Sequence, residues 1–92
     1  MKKITDLNTA KDVAQKLMHR EMQIHDYGTG ETLTIRHHDY GAMKGWYIHS
    51  MKRTLITKDL DAVASDLYVN RRLINGWIDG KFRAYKVNTR GV

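Results

Sequence analysis

Apolar residues change their spacing twice along this chain, and that change constrains the fold more than any single motif. Over 9–24, TAKDVAQKLMHREMQI, the residues Ala10, Val13, Ala14, Leu17 and Met18 recur at helical intervals, with lysines, Gln15 and Arg20 on the opposite face. Thr9 is placed as an N-cap, with Asp12 three residues on as a short capping box. The two glycines of DYGTG, 26–30, end that segment. Over 31–38, ETLTIRHH, the interval falls to two: Leu33, Ile35 and His37 alternate with Thr32, Thr34, Arg36 and His38. WYIHSM (46–51) and RTLIT (53–57) are rich in β-forming residues and read as one or two further strands. Helical intervals return over 59–67 and 70–79, joined by about three residues, and FRAYKV (82–87) alternates again. These periods predict one α+β domain over 1–92. It holds an N-terminal helix (9–24), a β-hairpin or small antiparallel sheet (31–57), a two-helix unit (58–80) and a C-terminal strand (82–92).

Ninety-two residues leave room for one modest core. With no cysteine, a disulfide framework, a thiolate metal site and a cysteine nucleophile are all excluded. MKKITDLNTAKD opens with two lysines but turns polar without an apolar stretch, so a signal peptide is not expected. No run approaches the roughly 18 apolar residues of a membrane span, and a cytoplasmic protein is the expectation.

The formal charge is +6, and its distribution says more than its size. Residues 1–69 carry ten Lys/Arg against nine Asp/Glu; residues 70–92 carry six against Asp79 alone. The surplus is Arg71, Arg72, Lys81, Arg83, Lys86 and Arg90. A merely solvated surface would scatter its charge along the chain, whereas a terminal concentration points to an acidic partner.

The same segment carries the functional motif, VASDLYVNRRLINGWIDGKFRAYKV. Val63, Ala64 and Leu67 form one face of a first helix; Leu73, Ile74, Trp77 and Ile78 form one face of a second, with Val69 plugging the angle between them and Asn70 as N-cap. Arg71, Arg72 and Asn75 are left outside. Such a pair suits a helix-turn-helix whose second helix enters the major groove. Arginine forks bond guanine, and an asparagine amide bonds adenine. The stretch resembles the DNA-binding segment of small winged helix-turn-helix proteins of the excisionase and MerR-like type. The resemblance covers about 55–92 and includes Gly80, Lys81, Phe82, Ala84, Lys86 and Val87 after the second helix. It implies a winged-helix-like fold in which 82–92 forms part of a wing along the phosphate backbone. It also implies a non-catalytic transcriptional regulator or recombination accessory factor of a phage or mobile element. Arg71, Arg72 and Asn75 would then read bases, while Asn70, Lys81, Arg83, Lys86 and Arg90 hold backbone. The partner is double-stranded DNA, with a homodimer or cooperative array compatible with such domains. The alternative is a phage- or plasmid-type inhibitor that uses the same basic end to block a host nucleic-acid-handling enzyme.

The remaining candidates are weaker. His19, His25, His37, His38 and His49 show no helical ligand spacing, and the consecutive pair on a strand points to opposite faces, so neither a metal nor another cofactor is expected. DYGTGE and DYGAMKG do not run from a strand into a helix as phosphate-binding loops do. Asp59, Asp61 and Asp66 are ordinary surface charge that also complements a helix start. Trp46, Tyr47, Tyr40 and Tyr27 gather in the sheet region, as core packing or, in the sharper reading, as a partner-binding patch.

Overall fold

The computed structural model describes residues 1–38, 41 and 44–86. The elements are α1 (Leu7–Lys16), β1 (Glu21–His25), β2 (Thr32–His38), β3 (Gly45–Ser50), β4 (Thr54–Thr57), α2 (Leu60–Val69), α3 (Arg71–Ile78) and β5 (Arg83–Lys86). The strands form one antiparallel sheet in the order β4-β3-β2-β1-β5. All three helices lie against one side of it. The α+β class and the antiparallel arrangement of β2, β3 and β4 agree with the alternation of the sequence.

The N-terminal helix is shorter than expected and starts earlier. Asp6 caps it: Asp6 Oδ1 accepts from the Thr9 backbone N–H at 2.8 Å, and Thr9 Oγ1 accepts from the Asp6 N–H at 3.0 Å. Thr9 thus closes the capping box from inside the helix. The helix stops at Lys16, and after a turn with His19 at φ 66° the chain enters β1. Residues 21–24, expected to be helical, therefore lie in a strand that runs on to His25. The apolar residues there tolerate either period, since Met18 and Met22 suit a helix while Met22 and Ile24 alternate. Pairing decides between them, because β1 bonds to β2 on one side and to β5 on the other.

Core residues alternate along the strands as a one-sided sheet requires. Met22, Ile24, Leu33, Ile35, Trp46 and Ile48 face the helices and pack against Val13, Leu17, Val63, Leu67, Leu73 and Ile74, all buried. Two polar contacts secure this layer. Buried Asp66 accepts from Arg53 Nε at 2.6 Å, and buried His37 accepts at Nδ1 from the His19 N–H at 2.9 Å.

Asn70 alone separates α2 from α3, where a connection of about three residues was expected. Val69 does not plug the angle; it ends α2 half-exposed. Asn70 makes no side-chain cap, and its Nδ2 donates instead to the Asp66 carbonyl at 2.9 Å. At the other end of α3 the Gly80 N–H reaches the Trp77 carbonyl at 3.0 Å and the Lys81 N–H reaches Gly76 at 2.7 Å, a Schellman closure with Gly80 at φ 81°. That turn delivers β5 to the sheet edge beside β1. The strand expected as part of a wing is an edge strand of the main sheet, and Val87 to Val92 lie outside the described residues.

Candidate nucleic-acid interface

The residues expected to meet DNA divide into engaged and available groups. Arg71 is exposed at the start of α3, its guanidinium 4.3 Å from the Tyr68 ring centroid and its Nη1 donating to the Tyr68 carbonyl at 2.9 Å. Arg72 is held between two carboxylates, with Nη1 3.0 Å from Asp26 Oδ2 and Nη2 3.1 Å from Glu31 Oε2, above the Phe82 ring. Asp26 also accepts from the Gly28 N–H at 2.9 Å and from Thr29 Oγ1 at 3.0 Å, shaping the β1–β2 turn. Burial pushes the Asp26 carboxyl up, but hydrogen bonds from Arg72, Thr29 and Gly28 outweigh it and hold it below the usual carboxylate range. The hydrogen bond to Asp26, followed by that to Glu31, raises Arg72.

Asn75 is not free to read a base. Its Oδ1 accepts from the Ile4 N–H at 2.7 Å and its Nδ2 donates to the Ile4 carbonyl at 2.9 Å, so both ends of the amide anchor the N-terminal segment to α3. Asn70 is buried and bonded to Asp66, out of reach of a phosphate. Lys81, Arg83 and Lys86 are exposed and have no ion-pair partner among the described residues; Arg90 lies outside those residues. The cations do not form one ridge. Arg83 stands beside His25 on the sheet side away from the helices, whereas Lys86 stands beside Met22 on the helix side.

The side of the sheet away from the helices is the other candidate. No described element packs on it. Its cross-strand rows run Ile56–Tyr47–Arg36–Glu21 and Thr54–His49–Thr34–Gln23–Tyr85, with Arg83 opposite His25 at one end. Aromatic rings stand on both halves. Arg36 lies 5.6 Å from the Tyr47 ring centroid, while His25 and Tyr27 meet edge to face at 4.3 Å. The Tyr27 and Tyr85 hydroxyls are hydrogen-bonded to each other, and both side chains are well exposed, at 69% and 43%. Glu21 is the single acidic side chain that the described strands place here, and His38 Nε2 sits 2.8 Å from it. The buried Nε of Arg36 has no hydrogen-bond partner among the described residues.

Of the four aromatic residues grouped in the sequence, Trp46 is core, Tyr47 and Tyr27 are on or beside the open face, and Tyr40 lies outside the described residues. Tyr85 was not singled out, although the alternation of FRAYKV puts it on one face with Arg83. What that alternation lacks is the neighbouring strand, β1. Among the described residues no three His, Asp or Glu side chains gather as metal ligands, and no helix is long and apolar enough to cross a membrane. Comparison of the chain with protein-family models, curated proteins and solved structures found no match.

Proposed function

We propose that this chain is a non-catalytic nucleic-acid-binding protein whose contact surface is the open face of the sheet together with its β5 edge. The observation that carries the proposal is the composition of that face: among the described residues of its strands, tyrosine rings and two arginines stand beside a single carboxylate. Cations supply the sequence-independent attraction to phosphates, and aromatic rings supply contact with bases. Lys81, at the turn into β5, adds a cation beside that edge, whereas Arg71 stands at the other end of α3. If about four phosphates are neutralised, log K should fall against log salt with a slope of about −3 to −4. Fluorescence anisotropy with labelled oligonucleotides over a salt series measures this, and a flat response overturns the proposal.

The narrower form, duplex reading by α3 as the excisionase-like resemblance implies, keeps only part of its expected machinery. Arg71 remains available for a groove or a phosphate. Arg72 would have to leave two carboxylates and Asn75 would have to release Ile4 before either touched a base, and leaving a buried polar group unpaired costs about 1–3 kcal/mol. Duplex binding through this side is therefore expected to discriminate weakly among sequences, and selection from random duplexes tests that directly.

A further inference from the structure

We propose that the open face of the sheet takes single-stranded nucleic acid, stacking bases on Tyr47 and Tyr85 while Arg36 and Arg83 hold the phosphates. This names the ligand of the surface just described and rests on that reading.

A strand and a duplex ask different things of a protein surface. Base edges of a duplex are reached by an element that protrudes into a groove, such as a helix or a two-stranded ribbon. The open face offers none among the described residues; it is a broad surface five strands wide. Single strands instead expose the flat faces of their bases, which stack on aromatic side chains over a positively charged track. Here the two kinds of group are interleaved. Tyr47 and Tyr85 lie on β3 and β5, three strand spacings apart, or about 14 Å at the usual separation of neighbouring strands. Arg36 sits one strand in from Tyr47 and within 5.6 Å of its ring centroid. Arg83 lies two residues before Tyr85 on the same face of β5.

The rings are held in place before any ligand arrives. The Tyr27 hydroxyl is hydrogen-bonded to that of Tyr85, and His25 abuts Tyr27 edge to face at 4.3 Å. Tyr85 nonetheless keeps 43% of its surface exposed, leaving ring area to stack on. A preformed platform lowers the ordering cost of binding. Charge complementarity favours the partner class: among the described residues of its strands, the face joins two arginines to one carboxylate, Glu21, which His38 already meets. An acidic protein could also answer the charge, and tyrosine suits protein interfaces as well, so the nucleic-acid probes decide between the two.

The test is anisotropy of the full chain with fluorescein-labelled dT15, U15 and a 15-base-pair duplex at one salt concentration. Wild type, Tyr85→Leu, Tyr85→Phe and Tyr47→Leu are compared, with thermal melting as the control for folding. The expected result is tighter binding of dT15 or U15 than of the duplex. Tyr85→Leu should weaken single strands by roughly five- to a hundredfold, the span reported by alanine substitution at stacked bases, while Tyr85→Phe keeps most of the affinity. The difference between dT15 and U15 tells DNA from RNA. Tyr85 is exposed on an edge strand, so its variants carry the test if Tyr47→Leu fails to fold. Equal or tighter duplex binding, with Tyr85→Leu unchanged on single strands, overturns this inference and leaves the broader nucleic-acid reading standing. Failure to bind any of the three probes overturns both.

Discussion

Arg72, expected from its place on a helix to read bases, is engaged within the fold. Its guanidinium ties α3 to the β1–β2 turn through Asp26 and Glu31 and stands over the Phe82 ring, 5.5 Å from its centroid. Because the Asp26 carboxyl titrates lower in the fold than in the unfolded chain, the unfolded state binds more protons as pH falls through about 4. The stability owed to that shift is fully present above this pH and is lost as pH drops towards the folded-state value. Arg72→Gln should therefore flatten the acid limb of urea-unfolding stability measured between pH 6 and pH 3; an unchanged limb would show that the pair adds no pH-dependent stability. Asn75 makes the complementary point about legibility. Helical spacing correctly put both residues off the apolar stripe of α3, since Leu73 and Ile74 are buried. It could not show that a polar residue off the stripe was bonded elsewhere in the protein. The partners stand 71 residues away for Asn75 and 46 for Arg72, and no local pattern records such a contact.

At the scale of elements, β2 to β5 were legible, the four-residue β4 and β5 among them, and β1 was not. Seven residues of β2 alternate against a buried core, while β1 has five, following directly on a helical pattern that its methionine extends. Its identity depends on β2 and β5, and so could not be read locally. The end of α3 shows a similar dependence. Gly76 is buried, and a Cβ placed there would lie 2.2 Å from the Phe82 ring. On an exposed helix, Gly→Ala stabilises by about 1 kcal/mol. Here the sign should reverse: Gly76→Ala is expected to destabilise by about 1–3 kcal/mol through overpacking against a residue that the Schellman turn holds in place. Urea denaturation of Gly76→Ala, with and without Phe82→Leu, checks this. The smaller partner should restore part of the loss, and additive effects would place the strain elsewhere.

The whole molecule is a two-layer structure, and that architecture separates surfaces that charge counts along the chain merge. The C-terminal excess of cations was legible in the sequence, but its distribution over two sides of a sheet required the strand order. Arg83 and Lys86, three residues apart, point to opposite sides because a strand alternates. A partner bound on the open face should therefore sense Arg83 and be indifferent to a cation across the molecule, such as Lys16 in the last turn of α1. Arg83→Gln should weaken oligonucleotide binding at low salt and reduce the magnitude of the salt slope by about 0.7–0.9, the value of one phosphate contact. Lys16→Gln removes the same unit of net charge and should leave the slope unchanged. Equal reductions would mean that the partner responds to total charge, whereas a difference between these two exposed, oppositely placed substitutions identifies the layer that meets it.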